Sequence, residues 1–328
     1  VTKHGAPSKR LAVVTTSYPS DDDDAAGHFV RAEVGHDVRQ GHAVTVFAPA
    51  AERSASTLGE QVIGIPHGSA FGSPGAAARI AERPTRMLGV ARYLWLTRKA
   101  LFAHDCDEVT AHFILPSYWP ICAGHPRLTR VFVHGSDLRL FERLPRPLRS
   151  RILARLHKDD PVVQCVSQEL ADRLRALAGT GVPRRIEVKP ARIDVPDLPE
   201  RHLLRAGLGV NQQPLIVVVA RLIASKRVDV ALRAALHVPD AQIVVCGGGP
   251  LQRALTLDFP AVRFLGNLPR NETLRWIAAA DVLLSASRTE GAPTAIREAR
   301  ALGVPVVTTA AGDLLTWART DPDLHVVP

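Results

Sequence analysis

The chain holds 328 residues, 46% hydrophobic and 22% charged, a balance ordinary for a globular protein, and no stretch approaches the roughly 20 apolar residues of a membrane-spanning helix. At roughly 150 residues per domain, the length predicts two domains with a cleft between them. A formal net charge of +9 favours an anionic partner such as a nucleotide or a phospholipid surface, and because 35 of the 41 basic residues are arginine, the other six, lysines, are the more telling.

Lys3, His4, Lys9 and Arg10 precede an apolar run, Leu11–Val14, that is too short for a secretory leader, so a cytoplasmic protein is expected. "RLAVVTT" (10–16) reads as a strand, "SYPSDDDDAAG" as an acidic, turn-rich loop, and Phe29–Gln40 as a helix closed by Gly41, with "AVTVFAP" as the next strand. The alternation continues through "VTAHF", "RVFVHG", "VVQCVS" and "IEVKP", the rhythm of a parallel sheet covered by helices. It breaks at "ARIDVPDLPERH" (191–202), which has two prolines and no apolar periodicity. The junction is placed there, giving domains of residues 1–195 and 196–328. A second series follows: "PLIVVVARL", a helix over 228–237, "AQIVVCGGGP", "VRFLGNL", a helix over 270–280, "DVLLSAS", a helix over 294–302 and "VPVVTT". The fold class read from this is α/β, with two Rossmann-like doubly wound domains in tandem. Cys106, Cys122, Cys165 and Cys246 form no C-x-x-C pair, so buried reduced thiols are expected.

In parallel α/β sheets ligands sit outside the carboxyl ends of the strands, which gives four loops of the second domain the most weight. Arg221 and Lys226 in "ARLIASKR" put two cations at a strand exit, as a diphosphate requires; Arg227 beside them reads as an ordinary surface charge. Gly247, Gly248 and Gly249 in "CGGGP" let backbone approach a ligand, although a tight turn explains them equally well, and the G-x-G-x-x-G spacing of a dinucleotide site is absent. In "FLGNLP" the backbone of Asn267 and Leu268 offers hydrogen bonds to a flat base, with turn formation as the alternative. The fourth loop, "RTEGAPTAIREARALG", runs into a helix with Pro293 in its first turn. The amides of Gly291, Ala292, Thr294 and Ala295 then form a positive helix start, with Glu290 before it and Glu298 about one turn inside. A carboxylate accepts two hydrogen bonds from a vicinal diol, so this pair suits a ribose and a hexose on either side of a diphosphate.

These segments, from "VVVARLIASKRVDVAL" through "VVCGGGP" and "RFLGNL" to "SRTEGAPTAIREARALGVPVVTT", resemble the retaining GT-B glycosyltransferases of family four, also called glycosyl transferases group 1. The first domain is similar more loosely, in "VVTTSYPSDDDDAAGHFVRAEVGHDVRQGHAVTVFAP", "AHFILPS" and "FVHGSDL". The resemblance implies two domains facing each other across a cleft and transfer from a nucleoside-diphosphate sugar to a hydroxyl acceptor with retention of configuration. It implies that Arg221 and Lys226 neutralise the leaving diphosphate, that Glu298 binds ribose and Glu290 the donor sugar, and that Gly291 to Thr294 line sugar and phosphate. It further implies that His134 faces the sugar from the first domain, with His112 a weaker candidate that reads equally as a satisfied core histidine, and that Gly27 lets the first loop approach the diphosphate or acceptor. No metal or other cofactor is implied. The run Asp21–Asp24 contains a D-x-D pattern that holds a divalent ion in a different glycosyltransferase fold, but here it reads as a solvated loop. Two features depart from the family pattern: "KPARID", with Ala191 and Arg192, stands where an Asn-Gly pair is usual, and the chain stops at "HVVP".

Residues 76–102 combine Arg79, Arg83, Arg86, Arg92 and Arg98 with Met87, Leu88, Tyr93, Leu94 and Trp95, and residues 139–158 combine Arg143, Arg146, Arg149, Arg151 and Arg155 with Leu148, Ile152, Leu153 and Leu156. Basic amphipathic helices dock on anionic membranes, as a lipid-linked acceptor would require; helices packed on a sheet with arginine outward give the same pattern. A catalytically silent nucleotide-sugar binder and an NAD-type oxidoreductase are the rival readings, the latter opposed by the missing glycine fingerprint. Nucleic-acid binding has no supporting motif.

Overall fold

A computed structural model describes residues 8–21, 24, 27–49, 58–71, 83–181, 183–210 and 212–328. The chain divides into two compact units, Val1–Arg192 and Ile193–Pro328.

The first unit is built on strands β1 (Arg10–Val14), β2 (Ala43–Pro49), β3 (Gln61–Ile65), β4 (Glu108–His112), β5 (Leu128–Val133), β6 (Val162–Cys165) and β7 (Arg185–Val188). They form one sheet in the order β3-β2-β1-β4-β5-β6-β7, every neighbouring pair parallel. Ala12, Val13 and Val14 of β1, an interior strand, are all buried, as a strand covered on both faces requires. The helices are α1 (His28–Arg39), α2 (Arg86–Phe102), α3 (Ser136–Glu142), α4 (Arg146–Asp159) and α5 (Gln168–Ala178). Val30 and Val34 of α1, one turn apart, pack on Val13, Val44 and Val46. Ser167 caps α5, its hydroxyl accepting from the Leu170 amide at 3.3 Å. Arg192, at the point of departure from the family pattern, is held on α1: its amide donates to Glu33 Oε1 at 2.7 Å and its Nε lies 3.2 Å from Glu33 Oε2.

The second unit contains α6 (Arg201–Gly207), β8 (Leu215–Val219), α7 (Val228–Ala235), β9 (Gln242–Cys246), α8 (Gln252–Asp258) and β10 (Arg263–Gly266). It continues with α9 (Arg270–Ala279), β11 (Val282–Ser285), α10 (Thr294–Ala301), β12 (Val306–Thr309), α11 (Leu314–Trp317) and β13 (Leu324–Val327). Its parallel sheet runs β10-β9-β8-β11-β12-β13. Successive side chains on a strand face opposite ways, and the core divides accordingly. Leu215, Val217, Val244 and Cys246 join one cluster with Leu274 and Ile277 of α9 and Ile296 and Ala299 of α10. Ile216, Val218, Ile243 and Val245 join another with Val228, Ala231, Leu232 and Ala235 of α7, apolar positions at helical spacing. The structure also contains β3, β13, α3, α5, α6, α8 and α11, whose bounds were not set from the sequence. All four cysteines are buried and unpaired.

Asp281, just ahead of β11, ties α6 to this sheet. Its Oδ2 accepts from the Leu215 amide at 2.7 Å and from Arg205 Nη1 at 3.1 Å, while Arg201 donates to Oδ1. Burial opposes its ionisation, but the Leu215 amide and the two guanidinium groups outweigh that and hold its carboxyl below the usual carboxylate range. A carboxyl depressed in the folded state stabilises fully above its unfolded pKa, about 3.9, and loses that contribution as pH falls through the folded value. Thermal melts between pH 7 and pH 2.5 are therefore expected to fall less steeply below pH 4 for Asp281→Asn than for the wild type, with the variant less stable at pH 7. Parallel curves would show that this ionisation does not support the unit.

Candidate active site

The order of the second sheet reverses between β8 and β11, because β9 follows β8 on one side and β11 returns on the other. Loops leaving the carboxyl ends of two such strands diverge and leave a crevice. Lys226 leaves β8 and Glu290 leaves β11, 64 positions apart in sequence, yet Lys226 Nζ donates to Glu290 Oε1 at 2.5 Å. Their side chains are only 19% and 12% exposed.

Arg227, read from sequence as a surface charge, is instead what seats this loop. Its backbone is left-handed at φ 44°, its Nε donates to the Ala286 carbonyl at 2.7 Å and its Nη2 to Thr309 Oγ1 at 3.2 Å. The Arg288 amide donates to the Ser225 carbonyl at 2.9 Å, joining the two strand exits by main chain. Arg221 is exposed, and its guanidinium has no hydrogen-bond or ion-pair partner among the described residues.

Pro293 stands one place earlier than expected, at the N-cap of α10 with extended backbone, so the helix begins at Thr294. Gly291, Ala292 and Thr294 are partly exposed at this start, where free amides give the helix roughly half a positive charge. Gly312, which the sequence reading passed over, closes the loop from behind. It has φ 56°, and a Cβ there would lie 2.5 Å from the Glu290 carbonyl oxygen and 3.3 Å from that of Gly291. The available signal was a glycine just past strand "VPVVTT". Glu298 lies within the helix, buried, with Oε1 3.0 Å from Arg270 Nη2.

The glycine loop after β9 approaches protein backbone. Gly247 has φ 135°, and a Cβ would fall 2.0 Å from the Ala220 carbonyl oxygen; at Gly249 it would fall 2.5 Å from that of Leu222. At Gly248 a Cβ would lie 3.0 Å from Asn267 Oδ1, so Asn267 packs on the glycine loop. The Gly247 amide also donates to the Gly266 carbonyl at 2.7 Å. These glycines thus seat the exit of β9 between those of β8 and β10, and Leu268 is partly buried against the core of this unit.

In the first unit, Gly27 starts α1 at φ 74°, and a Cβ would fall 2.4 Å from the Ser17 carbonyl oxygen. Its close approach is to the loop's own backbone. Asp22 and Asp23 of the acidic run lie outside the described residues. His112 ends β4 and His134 follows β5, with His112 Nδ1 and His134 Nε2 3.1 Å apart. One of these nitrogens carries the proton that the other accepts. His112 is buried at 1% exposure, stacked on Phe132 at 4.3 Å, while His134 is partly exposed between Phe29 and Phe113. Burial, and for His112 the neighbouring His134, lowers both imidazoles, His134 to about 3. His112 is therefore a neutral core residue behind His134, not a group facing outward. Asp137, unnoticed in the sequence, fixes this corner: it accepts from the amides of Ile114 (2.8 Å), His134 (3.0 Å) and Gly135 (2.8 Å).

Residues 26–195 match Glycosyltransferase Family 4, and residues 213–323 match Glycosyl transferases group 1. Over 188 residues the chain is 31% identical to the GDP-mannose-dependent alpha-(1-6)-phosphatidylinositol monomannoside mannosyltransferase of Mycolicibacterium smegmatis, covering 51% of this chain and 48% of that protein. It is 26% identical over 321 residues to the D-inositol 3-phosphate glycosyltransferase of a Nocardioides species, covering 85% of this chain and 69% of the relative. The chain spans about half the length of several such relatives: 48%, 58% and 47% in three cases. Among solved structures, sucrose-phosphate synthase from Thermosynechococcus elongatus has a TM-score of 0.71 at 16% identity, covering 98% of this chain and 86% of that one, a likeness of fold.

A half-enclosed ion pair makes a specific stability prediction: losing one partner leaves the other charge without compensation. Lys226→Met and Glu290→Gln alone should each cost about 2 kcal/mol in denaturant unfolding, and the double variant should cost less than the sum. Strict additivity would show that the two charges do not interact in solution.

Proposed function

Since the chain belongs to Glycosyltransferase Family 4 and has the paired Rossmann-like units of the GT-B fold class, we propose that it transfers a sugar from a nucleoside-diphosphate sugar to a hydroxyl acceptor with retention of configuration. The observation that carries this reading is the meeting of Lys226 with Glu290 at the switch point, beside the start of α10. Lys226 and Arg221, the latter without a partner among the described residues, are assigned to the diphosphate, Glu290 to the hydroxyls of the transferred sugar and Glu298 to the ribose. Gly291, Ala292 and Thr294 offer amides at the helix start, and Asn267 and Leu268 offer backbone to the base. His134, at the exit of β5 in the first unit, is assigned to the sugar, and its neutral state suits it to hydrogen bonding.

As the bond from the anomeric carbon to the diphosphate breaks, its electron pair passes to the phosphate oxygen. Charge grows there, and the cations and helix start are stronger partners for it than for the bound donor. The acceptor oxygen bonds to the same face of the anomeric carbon, and its proton passes to the departing phosphate. Fixed positive charge supplies what a metal otherwise would, so transfer is proposed to be metal-independent. The Lys226–Glu290 pair has a second consequence: a donor must exchange each charge's present partner for its own groups. A relative named as GDP-mannose-dependent makes a GDP-sugar the first donor to try.

The acceptor is proposed to be lipid-linked, reached by peripheral contact with an anionic membrane. The outward face of α2 supports this. Leu88, Trp95 and Phe102, seven residues apart, are 77%, 62% and 43% exposed, and Arg92 and Lys99 are exposed beside them in a helix without an acidic residue. Arg98 turns its Nη1 inward, to the carbonyls of Pro120, Ile121 and Ala123 at 2.7–3.0 Å, and its guanidinium lies over the Phe102 ring at 4.3 Å. In residues 139–158, Ile152, Leu153 and Leu156 are buried and Arg149 and Arg155 are bound locally, whereas Leu140 and Leu148 are 48% and 38% exposed and Arg143, Arg146 and Arg151 are exposed. Arg79 lies outside the described residues. No described helix is long and apolar enough to cross a membrane.

Thermal shifts with GDP-, UDP-, ADP- and dTDP-sugars are expected to single out one donor, since a bound ligand stabilises with the logarithm of its excess over Kd. With that donor, Lys226→Ala should lower turnover about 100-fold or more. Unchanged turnover would refute the assignment, and donor binding without any turnover by the wild type would mark a silent binder. In flotation assays, vesicles rich in anionic lipid should carry the protein and neutral ones should not, with Trp95→Ala/Phe102→Ala and Arg92→Glu/Lys99→Glu both weakening capture. An absence of flotation would end the membrane proposal.

A further inference from the structure

The geometry points to Arg270 as a positioning residue for the donor nucleoside, one that orients Glu298 toward the ribose by anchoring it to the first residues of the second unit. This rests on the assignment of Glu298 to the ribose.

Arg270 is the first residue of α9, directly after the "GNLP" turn that leaves β10. Its Nη2 lies 3.0 Å from Glu298 Oε1, and the same nitrogen donates to the carbonyl oxygen of Asp194, two residues past the point at which the units divide. The Arg270 and Glu298 side chains are 15% and 7% exposed, so the pair is shielded from water and from salt. Arg270 Nε is buried with no acceptor among the described residues, and the side chain's hydrogen bonds to Glu298 and to the Asp194 carbonyl both run through Nη2.

Two physical consequences follow. A carboxylate enclosed to this degree is costly without compensating partners, and Arg270 is a cation placed directly against it. Bidentate acceptance from a vicinal diol also needs the carboxylate plane held in one orientation, and an oxygen tied to an anchored guanidinium is held in that way. An ordinary tie between a helix and a connecting segment would look similar in its distances. It differs in one respect: it would affect binding of a nucleotide without regard to the ribose hydroxyls.

The test is a thermodynamic cycle on the full chain by titration calorimetry, using GDP and UDP with their 2′-deoxy and 3′-deoxy forms as probes. In the wild type, removal of either hydroxyl is expected to weaken binding about tenfold, the range of one hydrogen bond to a charged group. Arg270→Met should weaken the ribonucleotide by a similar factor while binding the deoxy forms about as well as the ribonucleotide. Arg270→Lys, which keeps a cation with a single donor nitrogen, should recover part of the discrimination, and it carries the test if the methionine variant does not fold. An equal loss for ribo and deoxy probes in both variants would overturn the role of Arg270 while leaving the Glu298 assignment intact. A wild type indifferent to the hydroxyls would overturn both.

Discussion

Everything proposed for the second unit depends on one topological constraint, the reversal of strand order between β8 and β11. Parallel strands need crossovers, and right-handed crossovers that proceed outward in both directions from a central strand must part somewhere. Where they part, no helix covers the strand ends. The chain fills that place with loops whose main chains are bonded across it, Arg288 to Ser225, and the neighbouring exits of β9 and β10 are bonded likewise, Gly247 to Gly266, so the crevice has fixed walls. Lys226 and Glu290 meet because the sheet brings their strands together, and their 64-residue separation in sequence is the length of the intervening β9 and β10 excursion.

Within those walls most of the functional charge is already matched. Lys226 faces Glu290, Glu298 faces Arg270, and Arg227 spends its donors on a carbonyl and a hydroxyl. Buried charges survive only when compensated, so a site that handles a polyanion and polyols must store its cations and acids together. Arg221, exposed and unpartnered among the described residues, is the departure from this rule. Being in water, it bears little desolvation cost, and it provides positive charge that needs no exchange of partners.

The architecture was legible in the sequence because strand and helix periods are local properties. "LIVVV" and "QIVVC" declare two-faced burial by themselves, and "VDVALRAA" shows its apolar side at helical spacing. The paired glutamates were legible for the same reason, since strand, turn, proline and helix fix where residues 290 and 298 fall. What failed were inferences about what a residue touches across chain distance. Arg227 seemed a surface charge because its acceptors, Ala286 and Thr309, are 59 and 82 positions away. Gly247 and Gly249 showed that something comes close, but a carbonyl of the preceding loop and a phosphate call for the same missing Cβ. Gly312 offered only the weak signal of a glycine just past a strand, because the Glu290 carbonyl that requires it lies in a loop distant in sequence.

The arginine excess obeys the same distinction between charge and contact. Arg98, Arg149, Arg205 and Arg300 donate to main-chain carbonyls, where a forked planar donor can satisfy several acceptors that a single ammonium would leave unpaired. Such residues add to the net charge of +9 without facing any partner, so the total overstates the attraction this surface exerts on an anion. The part that acts outward is set by position, at the exit of β8 and along the outer face of α2. Lysine, used here only six times in the sequence, marks both places, at Lys226 and at Lys99. Of the two, Lys99 is exposed and offers its charge outward, whereas Lys226 is held by Glu290 and offers its charge only by exchanging that partner.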